Sequence, residues 1–175
     1  MGIRDYLAIL NYVIIFSLIV SIFFPRFICI EWLKIAITGG IGCGKSTVLE
    51  FLKANGLACL STDSIVRQLL SEDLSVVESV IEHFGSECKN EDGTVDRSRI
   101  AKIVFQSHSE LEWLESLLHP LVKEAYAEFL KDHDQSPAVV EIPLLFEKRL
   151  EKDFDLSVSV ICSDANANKR LLLKG

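Results

Sequence analysis

The chain has 175 residues and a formal net charge of −7, and no Lys- or Arg-rich run occurs in it. This length suits one domain with a substantial core, and the acidic balance argues against a general nucleic-acid-binding protein. The five cysteines include no C-x-x-C pair and the four histidines are scattered, so neither a disulfide framework nor a zinc site is indicated. Reduced thiols fit a cytoplasmic protein best.

Residues 1–32 differ in kind from the rest of the chain. From residue 6 to residue 24 the polar residues are Asn11, Ser17 and Ser21, which meets the length and apolarity criterion for a transmembrane helix. The segment has no basic start and no small-residue cleavage site, which argues against a secretory signal peptide. Two interpretations stay open: a membrane anchor, which is the one membrane contact that the sequence suggests, and an extension upstream of the protein's true start.

A short apolar strand, predicted over residues 33–38, leads directly into a glycine-rich loop. The loop matches the pattern G-x-x-x-x-G-K-[ST], and a helix is predicted from Lys45 to Asn55. Glycine lets backbone N–H groups turn inward around an anion, and the helix N-terminus adds a partial positive charge. The residues predicted to hold the phosphates of ATP are Gly39, Gly40, Ile41, Gly42, Cys43, Gly44, Lys45, Ser46 and Thr47. We call residues 39–47 the phosphate loop.

Two side chains of the phosphate loop have predicted chemical roles. Lys45 can reach the β- and γ-phosphates, which gives it a catalytic role, and the Ser46 hydroxyl can take one position on Mg²⁺. Cys43 has two interpretations. It is either a small side chain that fits the loop, which we favour, or a redox switch.

The next segments read as a second strand and then a long helical stretch. The strand is predicted over residues 57–61, with Thr62 and Asp63 as turn and helix-start residues. Five helices with apolar residues at helical spacing follow. The first carries Ile65 to Leu70, the second covers residues 75–84 and ends at Gly85, and the third is capped by Asp96. A capping box at Ser109–Glu112 opens the fourth, which ends at Leu118, and the fifth begins at Pro120 and runs through Leu130. We interpret residues 64–133 as a helical insertion that forms a substrate subdomain.

Strand character returns twice near the C-terminus. Strands are predicted over residues 138–142 and 156–161, and Ser163 opens a last helix that reaches Lys174. Strands that alternate with helices predict an α/β fold, here a P-loop NTPase-type parallel sheet flanked by helices. Because ligands gather at the carboxyl ends of parallel strands, Asp63 and Glu141 are candidates for the site.

Each of these two carboxylates has an alternative. Asp63 suits a general base that takes a proton from an acceptor hydroxyl, a role worth roughly 10²–10⁴ in rate, but it suits a helix cap equally well. Glu141 either binds Mg²⁺ through water or is simply a polar residue at a sheet edge. Spacing alone does not choose between them.

Five stretches together resemble the dephospho-CoA kinase family, within the P-loop kinases. They are ITGGIGCGKST, STDSIVRQLL, DGTVDRSRIAKIVF, LEWLESLLHPLV and VVEIPLLFE, and the resemblance covers nearly everything from residue 33 to residue 175. It implies phosphorylation of the 3′-hydroxyl of dephospho-CoA by Mg-ATP, the last step of coenzyme A synthesis. It also implies Asp63 as the base, and an acceptor site formed by Arg67, His119, Pro120, Pro143, Leu144 and Leu145.

The chain departs from the family pattern in two places. The family usually has Asp-Ala-Asp after the second strand, whereas this chain has Ser61-Thr62-Asp63. The family also continues through an arginine-bearing lid, and this sequence reaches only residues 168–175, the start of that lid. The alternatives are therefore another small-molecule P-loop kinase, of the nucleoside monophosphate or shikimate type, and a lid-less nucleotide-binding remnant without transfer activity. No oligomeric state is indicated.

Overall fold

The computed structural model describes residues 33–172. The elements in chain order are β1 (Lys34–Thr38), α1 (Lys45–Ala54), β2 (Ala58–Ser61), α2 (Thr62–Glu72), α3 (Leu74–Phe84), α4 (Arg97–Val104), α5 (His108–Asp132), β3 (Ala138–Glu141), β4 (Leu156–Ser159) and α6 (Asp164–Leu172), with 3₁₀ turns at Ser86–Cys88 and Glu151–Asp153. The apolar stretch at residues 6–24 lies outside the described residues. Within residues 33–172, none of the helices has the length and apolarity needed to cross a bilayer.

The four strands form one parallel sheet in the order β2-β3-β1-β4. This confirms the predicted α/β parallel sheet with flanking helices. The register brings the strand ends level, because Glu141 lies beside both Ile37 and Ser61, and Thr38 lies beside Ser159. All four strands therefore end at one edge, which we call the carboxyl edge.

Strand β1 is buried on both faces because helices cover both sides of the sheet. Ile35 and Ile37 belong to the cluster that includes Leu52 of α1, whereas Ala36 belongs to the cluster that includes Tyr126 of α5. This alternation follows from the two-residue period of a strand. Packing on both faces places the end of β1, and hence the start of the phosphate loop, between the two helical layers.

The helical region (residues 62–132) has a hydrophobic core of its own. The buried members are Leu70, Val76, Val77, Val80, Phe84, Cys88, Val95, Ile100, Val104 and Leu118. The Asp73 carboxylate accepts hydrogen bonds from the N–H groups of Ser75 and Val76 and caps α3, which ends at Gly85 as predicted. The helical spacing of the apolar residues therefore located this core correctly, since each helix turns its apolar side inward.

One helix replaces the two that were predicted around Pro120. Helix α5 runs without interruption from His108 to Asp132 and contains Pro120. Its N-cap is Ser107, whose hydroxyl accepts from the N–H of Glu110, so the capping box predicted at Ser109 begins two residues too late. Proline removes one backbone hydrogen bond, but the helix buries Leu118 on one side of it and Tyr126 on the other. Packing on both sides of the proline outweighs the lost bond.

Several other boundaries differ slightly from the prediction. Strand β4 ends at Ser159 rather than at residue 161, and β3 ends at Glu141. Thr62 and Asp63, predicted as turn and helix-start residues, are both in the first turn of α2. Helix α6 begins at Asp164, and residues 173–175 lie outside the described range. Strands β3 and β4 therefore end one and two residues earlier than predicted, whereas β1 and β2 end where predicted, at Thr38 and Ser61.

Candidate active site

The phosphate loop follows β1 at the carboxyl edge and packs closely against the segments that follow β4. Gly39 has φ 139°, and a Cβ atom there would collide with the carbonyl oxygen of Val160. Gly42 has φ 76°, and a Cβ atom there would lie 2.9 Å from the carbonyl oxygen of Ala167 in α6. Glycine is required at both positions because of positive φ and close backbone approach. Within the phosphate loop Gly44 is the N-cap of α1, so that the helix N-terminus opens toward the glycines before it.

The Lys45 side chain folds back over the loop that precedes it. Its Nζ donates hydrogen bonds to the carbonyl oxygens of Gly39 at 2.7 Å and Gly40 at 3.1 Å. These carbonyls hold the ammonium group at the mouth of the loop. Phosphate oxygens are stronger acceptors for an ammonium group than neutral carbonyls, because they carry charge. The Lys45 ammonium group can therefore exchange its hydrogen bonds to the Gly39 and Gly40 carbonyls for hydrogen bonds to an anion.

Ser46 and Glu141 come together across the sheet edge. The Ser46 hydroxyl donates to Glu141 Oε1 at 3.4 Å, although 95 residues separate the two in sequence. Glu141 is only 3% exposed, and among residues 33–172 it takes part in no ion pair. A buried carboxylate is unfavourable unless its charge is balanced, so this position suits a cation.

The donors of this pair match one divalent ion in particular. A hydroxyl and a carboxylate are hard oxygen ligands of the kind that Mg²⁺ prefers, and Mg²⁺ usually takes only one or two carboxylates together with phosphate and water. Within the described part of the chain, no cluster of three or more His, Cys, Asp or Glu residues gathers around a metal position. The residues present fit a Mg²⁺ ion that arrives with a phosphate ligand.

The start of α2 brings Asp63 beside the end of β3. Thr62 is buried, and its hydroxyl donates to the carbonyl oxygen of Glu141 at 3.0 Å. Asp63 is the next residue and is exposed. The N-cap of α2 is Ser61, not Asp63, and the Asp63 carboxylate accepts no hydrogen bond from residues 33–172. The cap interpretation of Asp63 therefore has no support in the geometry.

Arg67 lies one helical turn after Asp63. Its Nε donates to the Asp63 carbonyl oxygen at 3.2 Å, and the side chain is exposed. The backbone of the first turn thus fixes the direction in which the guanidinium leaves the helix. A carboxylate and a guanidinium are presented on neighbouring turns of one helix.

A cavity of about 270 Å³ opens between the phosphate loop and the segment after β3. It is lined by Thr38, Gly39, Gly40, Ile41, Lys45, Pro143, Leu144, Phe146, Glu147 and Ser159. The Thr38 hydroxyl donates to the Pro143 carbonyl oxygen at 3.1 Å and ties the two walls together. Phe146 and Glu147 belong to the E-x-P-L-L-F-E run, but sequence reasoning did not select them; their position directly after a strand end was the available signal.

Leu145 does not line this cavity, contrary to the prediction that it contributes to the acceptor pocket. Its side chain is fully buried and packs in the cluster that includes Ala36 and Tyr126. Its neighbours Leu144 and Phe146 are 47% and 53% exposed. Residues in this turn alternate between core and solvent, so Leu145 anchors the segment while its neighbours face outward.

His119 and Pro120 lie on an exposed part of α5, outside the lining of the cavity. His119 is linked through Glu115 to Lys148, which follows the lining residue Glu147 in sequence. One Glu115 oxygen lies 2.7 Å from Lys148 Nζ, and the other lies 4.0 Å from His119 Nε2. Glu115 and Lys148 were not selected from the sequence, because the contact joins residues 33 positions apart.

Helix α6 completes the surroundings of the loop. The Arg170 guanidinium donates to the carbonyl oxygens of Gly42 at 3.2 Å and Cys43 at 3.0 Å. The Cys162 thiol, just before α6, donates to Cys43 Sγ at 3.3 Å. This hydrogen bond and burial raise the pKa of the Cys162 thiol.

Comparison with known proteins identifies the family. A family model described as dephospho-CoA kinase matches residues 33–174, which include every strand and helix described above. The chain belongs to the dephospho-CoA kinase family. The resemblance read from the motifs is thereby confirmed, and the match to the helical region as well as the sheet separates the chain from other P-loop kinases.

Relatives and solved structures agree with the family model. The dephospho-CoA kinase of Legionella pneumophila strain Paris is 40% identical over 115 residues, which are 66% of this chain and 57% of that protein. The one of Synechococcus sp. strain CC9605 is 37% identical over 143 residues, which are 81% of this chain and 69% of that protein. The chain thus spans between 57% and 69% of the length of these two family members.

Two solved structures share the fold. TT1252 from Thermus thermophilus superposes with a TM-score of 0.69 at 28% identity, covering 83% of this chain and 73% of that one. A dephospho-CoA kinase from Campylobacter jejuni gives a TM-score of 0.56 at 21% identity, covering 81% of this chain and 94% of that one. The second likeness bears on the fold alone.

Proposed function

We propose that this chain transfers the γ-phosphoryl group of ATP to the 3′-hydroxyl of dephospho-CoA and so makes coenzyme A. The observation that carries the proposal is the family match across both the sheet and the helical region. ATP use follows from the kinase family. The reaction belongs in the cytoplasm, where ATP is available.

In this proposal the phosphate loop binds the triphosphate and Lys45 contacts the β- and γ-phosphates. Support comes from the ammonium group at the mouth of the loop, held by the two carbonyl oxygens of Gly39 and Gly40. The Lys45 ammonium group then stabilises the negative charge that develops on the transferred phosphoryl group. Preorganised charge of this kind supplies most of the rate gain in phosphoryl transfer.

Ser46 and Glu141 hold Mg²⁺ in this scheme. The support is the contact between a hydroxyl and a buried carboxylate that lacks an ion-pair partner in the described chain. When bound, Mg²⁺ would neutralise negative charge on the phosphates of ATP.

Asp63 acts as the general base and takes the proton of the 3′-hydroxyl as the 3′-oxygen attacks the γ-phosphorus, and the bond from the γ-phosphorus to ADP breaks. The proposal is supported by an exposed carboxylate that is not used as a cap and that follows the end of β2 directly beside β3. A single carboxylate at this place suffices for one proton, so Ser61 in place of the family's usual aspartate does not prevent the step.

The acceptor is proposed to lie between the substrate subdomain, residues 64–133, and the segment after β3. Arg67 is suited to an anionic group of dephospho-CoA, and Pro143 and Leu144 offer apolar surface at the cavity wall. His119 is placed near the same segment by its contact with Glu115, which pairs with Lys148, and Pro120 follows His119 in sequence. Leu145 supports this wall from the core.

A single-turnover experiment tests the function. The chain is mixed with a limiting amount of ATP labelled at the γ-phosphate, Mg²⁺ and excess dephospho-CoA, and the expected result is label in coenzyme A. Coenzyme A itself is the matched control acceptor, because its 3′-position is already phosphorylated and must take up no label. AMP and shikimate test the other P-loop kinase classes. Binding of ATP without label in any acceptor would contradict transfer by this chain.

A further inference from the structure

Two thiols meet at the phosphate loop. Cys43 lies inside the loop and Cys162 lies between β4 and α6, and their sulfur atoms are 3.3 Å apart. The contact follows from the sheet, since β4 pairs with β1 and the segments that leave these two strands run side by side. Both side chains are partly exposed, so a small molecule can reach them.

The other cysteines of the described chain are placed differently. Cys88 is fully buried in the helical region, where its thiol lies 3.6 Å from the carbonyl oxygen of Phe84. Cys59 lies on β2, at the far side of the sheet from β4. Neither has a second thiol as a hydrogen-bond partner within residues 33–172. Among the described cysteines, Cys43 and Cys162 are therefore set apart by the short distance between their sulfur atoms.

We propose that Cys43 and Cys162 form a redox-modification site, which a small-molecule disulfide such as oxidised glutathione converts into a disulfide that weakens ATP binding. The formation of the bond stands on the thiol geometry alone. Its effect on ATP rests on the proposed function of the phosphate loop. Of the two interpretations of Cys43, this proposal adopts the redox switch rather than the small side chain, because Cys162 provides a partner thiol.

The chemistry balances in two exchange steps. Cys43 loses its proton to water and attacks one sulfur of oxidised glutathione, which leaves a mixed disulfide on Cys43 and releases one glutathione thiolate. Cys162, 3.3 Å away in the reduced protein, then loses its proton to water and attacks Cys43 Sγ. The second glutathione thiolate leaves. The protein pair gives up two electrons, and oxidised glutathione becomes two reduced glutathione molecules.

Closing the bond must move the phosphate loop. A disulfide needs a sulfur–sulfur distance of about 2.05 Å, so the two sulfurs must approach by about 1.2 Å from 3.3 Å. Gly42 already lies against the Ala167 carbonyl, and Arg170 holds the carbonyls of Gly42 and Cys43. Moving Cys43 therefore displaces the backbone of the phosphate loop, whose N–H groups are proposed to hold the phosphates. Losing one hydrogen bond to a charged phosphate oxygen weakens affinity roughly 10- to 100-fold.

Equilibration in glutathione buffers of increasing oxidised fraction tests the proposal. Peptide mapping by mass spectrometry is expected to find the Cys43–Cys162 linkage, and calorimetry is expected to find Mg-ATP bound 10- to 100-fold more weakly by the oxidised protein. A dithiol reductant restores the original affinity. By thermodynamic reciprocity, saturating ATP shifts the midpoint of oxidation by the same factor.

Matched variants separate the steps. Cys162→Ser is expected to bind Mg-ATP normally when reduced and to accumulate glutathione on Cys43 without a crosslink, whereas Cys59→Ser keeps the crosslink. Absence of the Cys43–Cys162 linkage in a protein that binds ATP would overturn the redox site and leave the proposed function intact. A crosslinked protein with unchanged ATP affinity would overturn the effect on the loop. A reduced protein that fails to bind ATP would contradict the proposed function, not the crosslink.

Discussion

The helical region and the carboxyl edge of the sheet differ in whether their polar groups have partners within the protein. In the hydrophobic core of the helical region the buried side chains are apolar, and the helix ends are capped by carboxylates such as Asp73 and Asp96. At the carboxyl edge Glu141 is buried without an ion pair among the described residues, and the Asp63 carboxylate accepts no hydrogen bond from residues 33–172. The first region completes its own interactions, whereas the second keeps groups available for a ligand.

This difference predicts how the two regions respond to substitution. A change in the hydrophobic core of the helical region should lower stability and leave the chemistry of folded molecules unchanged. A change at the carboxyl edge should lower binding or turnover and leave stability nearly unchanged, or even raised, because the groups there contribute little to folding. Substitutions in both regions test this separation.

The largest expected effect is on turnover. Asp63→Asn keeps the shape of the side chain and removes the proton acceptor, so single-turnover transfer to dephospho-CoA should fall about 10²- to 10⁴-fold. Mg-ATP affinity by calorimetry should stay the same. Asp132→Asn, at the exposed end of α5, is the matched control and should turn over normally. Equal rates for the two variants would show that Asp63 is not the base.

The next largest effect is on stability. Phe84 is 8% exposed and packs edge-on against Trp113 with ring centroids 5.4 Å apart. Phe84→Ala should lower the free energy of unfolding by about 3–5 kcal/mol in urea titrations, because it leaves a cavity in the helical core. Phe105→Ala is the control, since Phe105 is 87% exposed and should lose little. If Phe84→Ala also removed ATP affinity from the folded fraction, the two regions would not be separable.

A smaller effect is expected on nucleotide affinity. Lys45→Ala removes the ammonium group from the mouth of the phosphate loop, so Mg-ATP should bind roughly 10- to 100-fold more weakly. Transfer should fall as well, since the contact is made in both the ground and the transition state. Lys53→Ala, exposed in the last turn of α1, serves as the control. Unchanged affinity in the Lys45 variant would mean that the loop holds no phosphate.

The smallest effect has the opposite sign on stability. Glu141→Gln removes a buried charge, so in the absence of Mg²⁺ the free energy of unfolding should rise by about 1 kcal/mol. The same variant should lose the part of its ATP affinity that depends on Mg²⁺. A loss of stability in metal-free buffer would instead indicate that the carboxylate is already balanced by the fold.

Much of the fold could be predicted from the sequence because local rules govern it. The glycine spacing of residues 39–44 and Lys45 identified the phosphate loop, since positive φ and a helix N-terminus are local demands. The apolar spacing of α3 and its end at Gly85 were readable for the same reason. Pro120 misled because its local preference for a helix start was overridden by packing on both sides of it.

The contacts of the site were decided by the tertiary structure. Glu141 and Asp63 were candidates from the sequence, but the pairing of Ser46 with Glu141 and of Cys43 with Cys162 depends on which strands are neighbours. The burial of Leu145 depends in the same way on the turn after β3. Strand order is set by how the whole chain packs its apolar faces, and such long-range packing leaves no local pattern in the sequence. The sequence by itself therefore determined the phosphate loop and the helical core, and the sheet determined which distant side chains meet them.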